Sequence, residues 1–282
     1  MSSTDRAART GPHQDAGPDP DPDRDPDRDR PGVALITGAT AGIGRAFATQ
    51  LAARGHDLVL VARHRGRLAE TAAELTERYG VAVEVLSADL TDRVELARVE
   101  ERVAATERPV ELLVNNAGFG LKKRFLDNSV EEEQAMVDIL VVAVLRLTHA
   151  ALGAMSARGR GGVINVSSVA AFLPRGTYSA AKAWVNSFSQ WAAAEYRSRG
   201  VTVMALCPGF TRTEFHARMG VSRGSAPSLL WLDVDRVVRD GLADYDRRRV
   251  VSVPSPQYKV IAALAHAIPS RVMQRFQSLG RR

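Results

Sequence analysis

The chain has 282 residues, 45% hydrophobic and 25% charged, with a formal net charge of +6, which suits one sizeable globular domain or two small ones. The positive residues are scattered and no basic run is interleaved with aromatics, which argues against a nucleic-acid partner. A single cysteine, Cys207, excludes an internal disulfide or a thiolate zinc cluster and fits a reducing, cytoplasmic setting. The first residues lack the apolar core of a secretion signal, and we expect no apolar stretch of the ~18 residues that a membrane span needs.

Residues 1–31 alternate Asp, Pro and Arg with no apolar residue beyond alanine over "DAGPDPDPDRDPDRDRP". Such a segment buries too little surface to offset ordering entropy, so we expect a disordered tail. From Val33, short apolar runs alternate with amphipathic stretches: "VALIT", a helix over 42–54, "DLVLVA", a helix to Tyr79, "VAVEVLS", and a helix through "DRVELARVEERVAAT". There follow "ELLVN", one long helix over 129–155, "GVINVS", a helix over 176–199, "VTVMALC", a helix over 233–246 and "RVVSVP". Strands with near-continuous apolar residues are buried on both faces, and helical crossovers demand parallel pairing. The expectation is one α/β domain over 32–282, a doubly wound Rossmann fold with a seven-stranded parallel sheet flanked by helices. A helical segment from about residue 255 would end it. That segment, "YKVIAALAHAIPSRVMQRFQSLGRR", is apolar with flanking arginines, so it could lie on a membrane surface; packing over the cleft or a subunit seam is preferred.

Between the first strand and first helix stands "TGATAGIG". In a doubly wound sheet, ligands bind beyond the carboxyl ends of the strands, where a helix N-terminus presents free N–H groups. Gly38 permits the tight turn, Gly42 a close approach of backbone to phosphate, and Gly44 close helix packing. Further on, Tyr178 and Lys182 are four residues apart, on one face of a helix. A nearby ammonium would lower a phenol's pKa from about 10 and suit it to proton transfer. Ser167 and Ser168 end the fifth strand. Six histidines at positions without ligand spacing imply no metal site, and Cys207 reads as packed. Trp184 and Trp191, seven apart, form one buried or subunit-facing stripe.

The glycine turn, "NNAG" at 115–118, "YSAAK" at 178–182 and "PGFTRT" at 208–213 stand in the order and spacing of the short-chain dehydrogenase/reductase family, which the chain resembles over residues 32–253. The resemblance implies a nicotinamide-dependent oxidoreductase that assembles as a homodimer or homotetramer. It implies that Tyr178 passes the proton, that Lys182 also reaches the nicotinamide ribose, and that Ser168 holds the substrate oxygen. The serine–tyrosine gap is about three residues shorter than usual, which keeps Ser167 open. Further cofactor contacts implied are Thr40, Ile43, Leu90, Pro208 and Gly209, with Asp89 at the adenine and Thr213 at the carboxamide. Asn115, Ala117 and Gly118 would line the adenine ribose, while Asn116 stabilises the sheet. In one departure, Leu140 occupies the place where the family commonly has a helix-kinking asparagine that holds a relay water; a cofactor-binding sensor or scaffold with little catalysis is therefore the alternative. An epimerase or dehydratase is disfavoured by the lack of a large substrate domain.

The second strand ends in Ala62 and Arg63 where an NAD-preferring site has a carboxylate. An arginine suits a 2′-phosphate, so NADP(H) is expected over NAD(H), with Arg63 as discriminator and Arg65 beside it. Phe172, Leu173, Phe210, Phe215, Met219, Leu229, Leu230 and Trp231 suggest an apolar substrate wall, with Arg175 and Arg212 the only nearby cations considered. The substrate expected is a hydrophobic ketone or secondary alcohol, lipid-like or acyl.

Overall fold

The structure, a computed structural model, describes residues 31–213 and 227–267. The expected tail up to Arg30 and the expected wall residues Phe215 and Met219 lie outside the described residues. Seven strands form one sheet: β1 (Val33–Thr37), β2 (Leu58–Ala62), β3 (Val83–Ser87), β4 (Val110–Asn115), β5 (Gly161–Val166), β6 (Val201–Leu206) and β7 (Val251–Ser252). Their order is β3-β2-β1-β4-β5-β6-β7 and every pairing is parallel. The near-continuous apolar runs explain why: β1, VALIT, is buried at all five positions, which only a sheet covered on both faces allows.

Successive strand residues feed two cores. Leu35, Val61, Leu113 and Val163 pack with helices α3 (Arg93–Ala104), α5 (Ala143–Arg158) and α6 (Thr177–Tyr196). Ile36, Leu60, Val114 and Ile164 pack with α1 (Gly42–Ala53), α2 (Arg65–Tyr79) and α7 (Val234–Asp246). Each fully buried Leu or Ile contributes roughly 1.5–3 kcal/mol relative to exposure. The chain reverses its direction of sheet growth between β1 and β4, and this switch point opens the crevice at the strands' carboxyl ends.

Two elements depart from expectation. The long helix over 129–155 is α4 (Val130–Val137), a π turn (Asp138–Val142) and α5, which runs on to Arg158. A capping box between Ser129 and Glu132 starts it, and Gly159 at φ +73° ends it. A hydrophobic periodicity near 3.6 does not register one wider turn. This 130–158 run is also long and apolar enough to cross a membrane by length and composition, contrary to expectation. Its stripe of Met136, Leu140, Ala143, Leu147, Ala151 and Met155 is buried within the protein. The seventh strand shrinks to two residues, since only Val251 and Ser252 find partners on β6 and Pro254 has no N–H to offer. Beyond it, Ser255 takes φ +101°, a conformation costing a non-glycine residue of order 1–3 kcal/mol, and α8 (Pro256–Ala267) follows. Tyr258 and Ala262 are buried in α8 while Val260 and Ile261 are exposed, so this part of the segment packs on protein.

Candidate active site

The crevice begins where β1 ends. The Thr37 hydroxyl accepts the Asn116 and Ala117 N–H groups, both at 2.9 Å. Asn116 Nδ2 donates to the Thr37 carbonyl at 2.9 Å and the Gly38 carbonyl at 3.3 Å. The glycine turn is thereby clamped to the segment after β4. Gly38 and Gly42 have φ +67° and +54°, which favours glycine. A Cβ at Gly44 would lie 2.3 Å from the Gly38 carbonyl oxygen, so the helix can close on its own turn only without a side chain there. The α1 N-terminus has no side-chain cap and no acid in its first turn. Its N–H groups are left for an anion, and a pyrophosphate fits this cradle.

The crevice has a volume of about 710 Å³, within the range of small-molecule sites. Around it stand Gly38, Thr40, Gly42, Ile43, Arg63, Asp89 and Leu90 on the glycine-turn side. Ala117, Gly118, Ser168, Tyr178, Lys182, Pro208, Gly209 and Thr213 complete the expected set. Two expected residues are elsewhere. Gly44 packs behind the turn, and Asn115 is 3% exposed, its amide donating to Thr148 Oγ1 and Asn165 Oδ1 at 3.1 and 2.9 Å. As the last residue of β4, Asn115 points into the α5 core, whereas Asn116 has left the strand and lines the crevice. Asn115 thus leaves the place expected of it, while Asn116 lines the crevice and also braces the end of β1, as expected.

At the β2 end no carboxylate follows the strand. The Arg63 guanidinium lies 3.8 Å from Asp89, whose carboxylate also holds the Thr91 N–H at 3.0 Å. Arg67, one turn into α2, lines the crevice and donates to the Thr40 carbonyl at 3.3 Å. Arg65 does not line it. Arg67 was not among the expected residues; its place three residues past the N-cap His64, at the start of the helix after β2, is the signal that could have found it.

At the other end, Ser168 caps the short turn 169–172, accepting the Ala170 N–H at 3.1 Å, and its hydroxyl hydrogen-bonds the Tyr178 hydroxyl. Ser167 is 3% exposed and donates to the Lys182 carbonyl at 3.0 Å, so Ser168 is the serine joined to the tyrosine. Lys182 is 5% exposed; its Nζ donates to the Val166 carbonyl at 2.7 Å and stands 5.8 Å from the Tyr178 ring centroid. Burial pushes the amine down to about 8, partly opposed by Cys207. Burial pushes the Tyr178 phenol up to about 12, against the Ser168 hydrogen bond. This upward shift runs against the lowering expected from Lys182: the amine stands over the ring, and desolvation of the phenolate dominates.

Leu140 is 1% exposed, lies in the π turn and lines the crevice. The π turn forms without an asparagine. The apolar lining comes from Phe119, Ile139, Leu140 and Val166. Phe172, Leu173, Phe210, Leu229, Leu230 and Trp231 stand outside that lining; Phe210 and Trp231 pack on each other with ring centroids 5.5 Å apart. Cys207 is fully buried, its thiol pushed up to about 12 by burial. Among the described residues no group of three or more His, Cys, Asp or Glu could hold a metal.

A hydroxyl pair and a buried amine facing an anion cradle across one crevice are the equipment of a dehydrogenase, which moves a hydride and a proton between an alcohol and a carbonyl. The model of the short chain dehydrogenase family matches residues 32–222, and the chain belongs to that family of oxidoreductases acting on CH–OH and C=O groups. The very-long-chain 3-oxoacyl-CoA reductase of Anas platyrhynchos is 35% identical over 193 residues, 64% of this chain and 60% of that protein; the chain thus spans about 60% of that relative's length. A short-chain dehydrogenase from Sphingobium yanoikuyae, solved in complex with NADPH, is 36% identical with a TM-score of 0.78, covering 84% of this chain and 94% of that one. The bulky-bulky ketone specific alcohol dehydrogenase from Comamonas testosteroni is 32% identical with a TM-score of 0.74, covering 84% and 93%.

Proposed function

We propose that the protein is an NADP(H)-dependent oxidoreductase that interconverts a hydrophobic ketone and its secondary alcohol. The observation that carries this reading is the convergence of Ser168, Tyr178 and Lys182 on the crevice whose other end holds the glycine turn with Arg63 and Arg67. Bound nicotinamide supplies or accepts the hydride. Ser168 holds the substrate oxygen by a hydrogen bond, and Tyr178, protonated at neutral pH, gives its proton to that oxygen as the carbonyl is reduced. The Lys182 ammonium steadies the phenolate that this leaves, and in the reverse direction that phenolate takes the alcohol proton. The apolar lining excludes water from the reacting carbon and favours an apolar carbonyl, and the likeness to the duck reductase and the Comamonas enzyme supports the same class. Arg63 and the lack of a carboxylate after β2 support the 2′-phosphate, as does the likeness to a protein solved with NADPH.

A homodimer or homotetramer and a cytoplasmic location belong to the same reading. The outward stack on α6 supports the first: Trp184 and Phe188 rings are 4.7 Å apart, and Trp191, next in line, is 54% exposed. The test is NADPH oxidation with a panel of apolar ketones and 3-oxoacyl thioesters, repeated with Tyr178→Phe. Turnover by the wild type, lost in the variant while nucleotide binding stays, is the expected result. Binding without turnover of any carbonyl would favour the sensor or scaffold reading; unchanged turnover in the variant would refute the proton path.

A further inference from the structure

One side chain of the C-terminal helix reaches the wall of the crevice from behind. Tyr258 is 2% exposed; its hydroxyl donates to the Leu230 carbonyl at 2.7 Å and accepts the Phe210 N–H at 3.1 Å. Its ring covers Gly209, where an added Cβ would sit 2.1 Å from ring carbons. The two backbone strands it joins also hold each other: Leu232 N–H donates to the Phe210 carbonyl at 2.7 Å and Arg212 N–H to the Leu232 carbonyl at 3.0 Å. One of those strands is the crevice wall itself, with Gly209, Thr211 and Thr213 lining it. Thr213 in turn meets the phosphate turn, since a Cβ at Gly42 would lie 3.0 Å from Thr213 Cβ.

A second observation comes from the backbone. Ser255, three residues before Tyr258, is buried and held at φ +101°, while its carbonyl accepts the Lys259 N–H at 3.1 Å. A serine tolerates this conformation only where its surroundings enforce it, and such outliers gather where geometry serves a site. Here the outlier launches the helix that carries Tyr258.

We propose that Tyr258 is a positioning residue for the nucleotide crevice: its hydroxyl clasps Phe210 to Leu230 and so sets the wall Gly209–Thr213 against the glycine turn, without touching the nucleotide. The proposal rests on the nucleotide reading above. Losing the hydroxyl leaves two backbone groups without their shared partner, and the wall loses its fixed place.

The test compares Tyr258→Phe, which keeps the ring on Gly209, with Tyr245→Phe, a partly buried tyrosine of α7 beside Gly162 and away from the crevice. NADPH Kd is titrated by nucleotide fluorescence on the full chain, with Tm and steady-state rates measured in parallel. Tyr258→Phe should raise the NADPH Kd and KM about tenfold, the equivalent of one net hydrogen bond, with kcat at saturating nucleotide unchanged. Tyr245→Phe should leave Kd alone. Equal Kd for wild type and Tyr258→Phe overturns the proposal, as does equal weakening by both variants, which would mean general loosening. A wild type that binds neither NADPH nor NADH overturns the nucleotide reading and this inference with it.

Discussion

Replacing Arg63 by alanine removes the cation expected to read the 2′-phosphate. The Arg63 side chain is 66% exposed, and its ion pair with Asp89 is long, at 3.8 Å. Breaking that pair costs the folded protein little, because exposed pairs are solvated and screened. A hydrogen bond to a charged group is worth about 1.5–3 kcal/mol; exposure places Arg63 at the low end, so NADPH should lose about 1.5 kcal/mol, or roughly tenfold in Kd. NADH has no 2′-phosphate and should bind the variant as it binds the wild type. The gap between nucleotides should also narrow in 1 M salt, where the Debye length falls to about 3 Å. Arg67→Ala behaves differently in this account: Arg67 braces the Thr40 carbonyl, so its loss should weaken both nucleotides. Fluorescence titration of the two nucleotides against the two variants, at low and high salt, separates these effects. An Arg63→Ala protein that loses NADPH and NADH equally, or neither, would refute the assignment of the adenine end.

Other perturbations probe the interior. For Lys182, pushed from 10.5 to about 8 by burial, the folded state binds fewer protons than the unfolded chain between those values, so this group makes stability rise with pH across that window. Lys182→Met should remove a pH-dependent contribution of about 3 kcal/mol, read as Tm of variant minus wild type at pH 7 to 10.5; a difference that stays flat would contradict it. His56, lowered from 6.5 chiefly by burial and bonded to the Gly32 carbonyl, is neutral in the fold. Its contribution is complete above pH 6.5 and is lost as pH falls through the lowered value, so His56→Gln should flatten the acid limb of the stability profile. Gly118→Ala would place a Cβ 2.6 Å from Leu140 Cδ2 and should cost about 1–3 kcal/mol by overpacking. In a Leu140→Ala background that cost should shrink by about 1 kcal/mol in urea melts; strict additivity would show that the two side chains do not meet.

The strands were readable because burial on both faces leaves a plain mark, such as VALIT or LVLVA. The glycine turn was readable because φ above zero and close approach restrict the residue type. Local spacing also carried Tyr178 and Lys182, four apart on one helix. What long-range packing decides was less visible. Asn115 and Asn116 are neighbours, and which one enters the core depends on β4 ending between them. The choice of Ser168 over Ser167 depends on Ser167 turning toward the Lys182 carbonyl. The crevice's apolar lining at Phe119 and Ile139 and the clasp by Tyr258 join segments far apart in the chain, where no periodicity could announce them. The phenol's upward shift was missed because spacing places a cation near a ring but does not say how dry the hydroxyl is.

The π turn has a consequence for how this site can change over time. The Ala143 N–H reaches back five residues to the Asp138 carbonyl, so the helix holds one residue beyond α-helical phase. Deleting that residue would swing α4 about 100° around its axis relative to α5, taking Leu140 out of the crevice and exposing part of the buried stripe. What keeps Leu140 in place is thus a count of residues, indifferent to which side chain occupies the position. Point substitutions there can exchange one crevice lining for another while the π turn is inherited unchanged, whereas a single in-frame deletion would turn Ile139 and Leu140 away from the crevice together.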